Sequence, residues 1–352
     1  MIENIIGQKD FIEYLRGKRA TLLLALSNTA TANVKGITQA GIPGKIYLTP
    51  TLDSEFVCIG EVRSLKDIAQ TSKGVPTPAL ITRATHLLNP FSNIELLDLG
   101  LEVKPQIEYF KTHNFNISSS KSIALDAQID AQAIFQTAIE FAQNYKTNDD
   151  YIILGESVPS GTTTAAATAL ALGYDCKEMF SSSFKNTPND IKNETIKSAI
   201  SNIKEEDELF TILSKVSDNM LIFIAGFILG LNNSKKLILA GGTQMACVLL
   251  IVNSILKMMG GSIETSNLAL CTTKWVAKDE NSDIKALLNM LDFKINAYYS
   301  DFDFSTSSHA ALKLYDEGEA KEGVGAGACI VYALLNGVQK DKIIKKIESL
   351  LG

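Results

Sequence analysis

Short apolar runs that end in glycine and lead into helix-like stretches recur along this chain, and that pattern leaves few folds open. Residues 20–27 (ATLLLALS) read as a buried strand, followed by Asn28 and Thr29. Residues 151–154 (YIIL) are a second, running into GESVPSG and then a helix over 162–172 that stops at Gly173. Residues 237–240 are a third, followed by the Gly241-Gly242 turn and a helix over 244–259. Residues 268–272 and 94–100 add further strands, and 56–59 and 79–82 read as weaker ones. Between them, Ile134, Phe135, Ala138, Phe141, Ala142 and Tyr145 recur at helical spacing. Repeated strand–turn–helix units predict an α/β protein with a parallel sheet and helices on both faces. Ligands then sit beyond the carboxyl ends of the strands, so both glycine turns should face one cleft. The N-terminal stretch reads as an amphipathic helix and the tail from Ser307 as helical, which together predict a small helical layer. Residues 185–193 are the one linker-like segment.

Composition excludes several functions. With 46% hydrophobic and 20% charged residues, the chain can bury a sizeable core. Its net charge of -6 comes without a basic face, which argues against nucleic-acid binding. Five scattered cysteines, without a CxxC pair, fit a reducing, cytoplasmic setting and no zinc ribbon. The apolar run 220–231 is far short of the roughly 20 residues a membrane span needs and reads as a buried helix. His86, His113 and His309 do not have a metal-ligand spacing.

Three segments carry chemistry. In the first, Gly155-Glu156-Ser157-Val158-Pro159-Ser160-Gly161-Thr162-Thr163-Thr164 joins a strand to a helix. Glycines let a ligand approach the backbone, and the free amides of a helix start attract anions. Ser160 or Thr162 as a mere helix cap is the plainer reading, but it leaves the carboxylate of Glu156 unexplained. Glu156 would repel a phosphate and is assigned to ribose hydroxyls or the reacting centre. The second segment, Gly241-Gly242-Thr243-Gln244, is equally well a plain tight turn or a ligand contact. In the third, Lys321-Glu322-Gly323-Val324-Gly325-Ala326-Gly327-Ala328, a carboxylate beside an apolar wall is either a general base or a solvated helix-start residue. No GK[ST] phosphate loop, no acidic loop for phosphoribosyl pyrophosphate and no dinucleotide GxGxxG is present.

At GESVPSGTTTAAATALALG and KEGVGAGA the chain resembles the nicotinate-nucleotide:dimethylbenzimidazole phosphoribosyltransferase family, in a divergent branch. Residues 217–231, 237–246, 272–277 and 49–60 carry the resemblance across most of the chain. It implies a Rossmann-like parallel sheet flanked by helices, with a large substrate-binding domain over 20–300 and a small helical domain from 1–19 and 301–352. It implies a homodimer, no cofactor, and transfer of ribose 5-phosphate from nicotinate mononucleotide to a benzimidazole- or purine-type base. The family's general base falls on Glu322 and its phosphate loop on Gly155, Ser157, Ser160, Gly161, Thr162 and Thr163. Its phosphate-contacting lysine falls on Lys192, with Lys197 as fallback. Gly241, Gly242, Thr243 and Gly323 complete the substrate contacts, and Asn28 and Thr29 the base pocket. Two departures, around Asn28–Thr29 and at Gly241-Gly242, bear on which base is accepted. A non-catalytic nucleotide-binding or regulatory protein of the same fold is the alternative, disfavoured by the intact loop and Glu322. A nicotinamide-dependent oxidoreductase lacks its fingerprint here.

Overall fold

The computed structural model describes residues 2–351; Met1 and Gly352 lie outside it. The strands are β1 (Ile2–Ile6), β2 (Ala20–Leu26), β3 (Asn93–Asp98), β4 (Lys111–Asn114), β5 (Tyr151–Ser157), β6 (Lys236–Ala240), β7 (Leu268–Thr273) and β8 (Asn296–Ser300). They form one sheet in the order β1-β8-β7-β6-β5-β2-β3-β4, parallel throughout except for β1 against β8. Side chains alternate across it, as the strand period demands. Leu23, Ala25, Ile152, Leu154, Leu237 and Leu239 join one core, while Leu22, Leu24, Leu26, Tyr151, Ile153 and Ile238 join the other. Both faces are therefore covered, which explains why the strands read as unbroken apolar runs.

Helices Ala131–Asn144, Gly161–Ala171, Asn219–Leu231 and Thr243–Met259 contribute to the first core. Helices Thr49–Ile59, Ala79–Leu88 and Ala326–Leu335 contribute to the second. Gly226 and Gly230 let Asn219–Leu231 press against Ala131–Asn144: a Cβ on Gly226 would stand 2.5 Å from the Phe135 carbonyl oxygen. Alanine there gains about 1 kcal/mol of helix propensity. It loses about 1–3 kcal/mol by overpacking. Gly226→Ala should therefore be net destabilising in chemical denaturation, against the propensity scale, and a stabilised variant would show that the two helices separate freely.

Several expectations change. Residues 56–59 and 79–82 are helical: Pro50 in the first turn and left-handed Gly60 at the end bound Thr49–Ile59, and Pro78 precedes Ala79–Leu88. Residues 2–6, expected as helix, pair with β8 as an edge strand, and only Asp10–Tyr14 is helical in that stretch. From residue 189 the linker-like segment is helix Asn189–Ser201. In the tail, Ala326–Leu335 packs into the second core with β2, β5, β6 and β7.

Strand order reverses between β2 and β5. The chain proceeds outward from β2 to β3 and β4 on one side, and from β5 to β6, β7 and β8 on the other. At such a switch point the connections leave in opposite directions and open a crevice at the carboxyl ends. Glu156 and Ser157 lie there, in register with Ala25 and Leu26 of β2.

Candidate active site

A cavity of about 110 Å³ opens at this crevice. The segments after β2 wall one side with Thr38, Asp53, Thr71 and Thr77; the ends of β5 and β6 supply Glu156, Ser157, Ser160, Gly161, Thr162, Gly242, Thr243 and Gln244. Ser181 to Ser183 and Lys321 to Val324 close it. Both glycine turns share one edge of the sheet, as expected, because β5 and β6 are parallel neighbours.

Glu322 is held from four directions. Oε2 accepts from the Thr273 amide at 2.8 Å and the Thr272 hydroxyl at 3.1 Å; Oε1 accepts from the Gly323 and Gly327 amides, each at 3.2 Å. The geometry depends on glycine. A Cβ on Gly327 would overlap the backbone between Thr272 and Thr273, so only glycine brings this helix start close enough. Glu322 is open to the cavity yet otherwise enclosed by protein. Burial raises its pKa to about 7, opposed by the four hydrogen bonds.

Glu156 is buried, with Oε2 accepting from the Val158 amide at 3.1 Å and Oε1 from Gln244 Nε2 at 3.3 Å. Burial, then repulsion from Glu322 and Asp218, raises its pKa to about 8, and Asp53 adds to this. The Glu322 loop is clipped to β5: the Val324 amide donates to the Glu156 carbonyl at 2.7 Å, and the Val324 carbonyl accepts from Thr82 at 2.8 Å. Val324 stands at φ 55°, a conformation a β-branched residue adopts only when its surroundings impose it.

The capping anticipated for the GTTT helix is absent. Ser160 has left-handed backbone (φ 63°) and makes no cap bond; its hydroxyl and that of Thr163 are buried without a partner. Ser160, Gly161 and Thr162 line the cavity, whereas Thr163 is fully buried and does not. Gly155 is a packing residue behind the cavity: a Cβ there would lie 3.1 Å from the Gly325 amide nitrogen. Gly241 likewise stays behind the wall that Gly242 and Thr243 form. Gly323 lines the cavity, with φ 148°.

Two of the expected contacts stand outside the cavity lining. Lys192 does not line the cavity; its Nζ donates to the Ser181 carbonyl at 3.0 Å and the Phe180 carbonyl at 3.5 Å, and burial lowers its pKa to about 8. It thus props the serine wall from behind, and Lys197 is exposed on the same helix. The lysine that lines the cavity is Lys321, paired with Asp279 at 2.8 Å, with both side chains 3% exposed. Asn28 and Thr29 are structural as well. Asn28 bonds the Tyr47 carbonyl and the Glu102 amide, and Thr29 caps a short 3-10 turn, so neither reaches the cavity.

Sequence reading missed Asp53, whose carboxylate accepts from Thr77 at 2.6 Å and Ser157 at 2.7 Å and whose pKa burial raises to about 6. It also missed the Ser181–Ser183 wall. Pro50 and Gly60, read as helix bounds, would have placed Asp53 on a helix; nothing local marks the serines. Among the described residues no His/Cys/Asp/Glu cluster can hold a metal, and no helix is long and apolar enough to cross a membrane.

Known proteins place this arrangement. A family described as "Phosphoribosyltransferase" matches residues 92–259. Two solved structures from Thermus thermophilus share the fold. The nicotinate-nucleotide–dimethylbenzimidazole phosphoribosyltransferase superposes with TM-score 0.60 at 13% identity, over 98% of this chain and 92% of that one. The structure described as CobT gives 0.62 at 13%, over 98% and 93%. The fold is thus shared with these phosphoribosyltransferases, and the matched family segment spans β5 and β6, whose ends supply the cavity. A UPF0284 protein of Saccharolobus islandicus is 32% identical over 354 residues, spanning 100% of this chain and 97% of the relative. Another, of Sulfolobus acidocaldarius, is 33% identical over 347 residues, spanning 97% and 98%. The chain belongs to the UPF0284 family.

Proposed function

We propose that the chain transfers ribose 5-phosphate from nicotinate mononucleotide to a benzimidazole- or purine-type base, as a cytoplasmic homodimer serving cobamide nucleotide-loop assembly. The observation that carries this reading is the pair of enclosed carboxyls, Glu156 and Glu322, facing one cavity at the switch point with their pKa values raised toward neutrality. The pyridinium nitrogen of the donor is already positive, so the C1–N bond breaks with its electron pair passing to nicotinate, and no acid is needed. Positive charge develops on the sugar, and the ionised form of Glu156, which dominates above about pH 8, stabilises it. The incoming ring nitrogen attacks C1 from the opposite face, inverting it to the α-riboside, and Glu322 takes the N–H proton. The phosphate lies between the Ser160–Thr162 turn and the Ser181–Ser183 wall, with Lys321 as its cation and Lys192 supporting the wall.

The test is incubation of the purified protein with nicotinate mononucleotide and, in turn, dimethylbenzimidazole, benzimidazole, adenine and a phenol. Nicotinate and the α-riboside 5'-phosphate should appear in equal amounts with at least one acceptor. Tight donor binding without nicotinate release on any acceptor would reverse the reading in favour of a non-catalytic nucleotide-binding protein.

A further inference from the structure

Gln244 joins the two glycine turns. Its helix starts from the β6 turn, but its side chain lies across the first residue of the helix that follows β5. Gly161 makes the room, since a Cβ there would overlap Gln244 Oε1. The amino end donates to Glu156 Oε1 at 3.3 Å. The carbonyl end, Oε1, is buried without a partner. A buried acceptor left unmatched costs free energy, and here it stands on a cavity-lining residue beside an enclosed carboxyl. The amide's two ends thus divide their work: one is occupied by Glu156, and the other awaits a donor.

We propose that Gln244 is a specificity-determining residue that accepts a hydrogen bond from the sugar hydroxyl next to the anomeric carbon, so that the site selects ribosyl over 2-deoxyribosyl phosphates. This rests on the reading of the cavity as a phosphopentosyl site with Glu156 at C1. The terminal amide is short, so a group within reach of Oε1 is a near neighbour of the atom facing Glu156. In a pentose, the hydroxyl one carbon from C1 meets that requirement. Phosphate contacts elsewhere give affinity to both sugars alike; only a group that meets the hydroxyl itself separates them.

The experiment compares binding of ribose 5-phosphate and 2-deoxyribose 5-phosphate by calorimetry, in wild type and in Gln244→Met, which keeps length and removes the acceptor. Wild type should prefer the ribose compound by about tenfold or more, the usual effect of leaving a buried polar group unpaired. In Gln244→Met the preference should fall to less than about twofold, with affinity for the deoxy sugar unchanged. A merely structural role for Gln244 would weaken both sugars together and keep their ratio, and that result overturns the proposal. Should the Met variant fail to fold, the wild-type ratio alone decides: equal affinities, or no binding of either sugar, defeat the assignment. Discrimination that survives alongside an absence of nicotinate release would support Gln244 while removing the transfer reaction.

Discussion

Glu322→Gln should lower turnover by on the order of 10²–10⁴-fold, the usual worth of a positioned general base. The substitution keeps the shape of the side chain, so Oε1 can still accept from Gly323 and Gly327. What it removes is the ability to take a proton. Burial and hydrogen bonding balance at a pKa of about 7, so wild-type kcat/KM should rise as pH passes upward through neutrality and Glu322 ionises. In the variant that limb should flatten, while donor affinity barely changes, because the lost function acts on the acceptor. Single-turnover nicotinate release with benzimidazole and with adenine makes the comparison. If Glu322 only held the helix start against Thr272 and Thr273, Gln would leave the Thr273 amide unpaired, cost about 1–3 kcal/mol of stability and leave turnover nearly intact. Near-wild-type rates on both acceptors would therefore remove Glu322 from the chemistry.

Glu156→Gln should inactivate the protein and stabilise it at once. In the folded chain Glu156 has a pKa of about 8, raised first by burial and then by Glu322 and Asp218. The unfolded chain holds it at an ordinary carboxylate value. A folded pKa above the unfolded one means that the native state binds the extra proton. Its contribution to stability is complete below the unfolded pKa and is lost as pH rises through about 8. His86 works in the opposite sense below pH 6.5, because burial lowers its pKa from 6.5 to about 4. Above that, Glu322, with its pKa raised to about 7, adds its own loss near neutrality, and Glu156→Gln isolates the part due to Glu156. Between roughly pH 6.5 and 8 the loss for Glu156 is on the order of 2 kcal/mol. That corresponds to a fall in Tm of roughly 3 °C. Scanning calorimetry should show this slope in wild type and a flatter, higher curve in Glu156→Gln. At pH above about 8, where wild-type Glu156 is ionised, turnover should drop by about 10²-fold or more as charge stabilisation is lost. A variant that is both less stable at pH 8 and fully active would contradict both halves.

The alternation of apolar runs and glycine turns is legible because a strand buried on both faces has no polar side to show. Residues 20–26, 151–157 and 236–240 announce themselves in this way. Thr49–Ile59 does not. Thr51, Asp53, Ser54 and Glu55 are all buried, although they fall where an amphipathic helix facing solvent would be polar. Enclosure by loops from elsewhere hid that helix, and Asp53 with it. Glu156 and Glu322 could be picked out because each interrupts a run of small residues that has no structural need of a carboxylate. Lys192 is ambiguous in the sequence for a different reason. A lysine on a helix can reach a cavity or the carbonyls of the wall around it, and only the path of residues 180–183 decides. Asn28 and Thr29 follow a central strand, as site residues often do, yet their side chains are consumed in holding neighbouring loops.

The Val324 clip has a consequence for how such a protein diversifies. Because the backbone of Val324 is pinned to Glu156 on one side and Thr82 on the other, the two acids are joined through the main chain and travel together. The opposite wall, from Thr38 to Thr77, hangs from separate segments after β2 and meets the Glu156 strand through the Asp53–Ser157 side-chain bond. Substitutions on that wall away from Asp53 can reshape the cavity while the main-chain link between the two acids stays in place. On the proposed reaction, the clip is a fixed anvil and that wall an exchangeable jig, through which new acceptors would be reached.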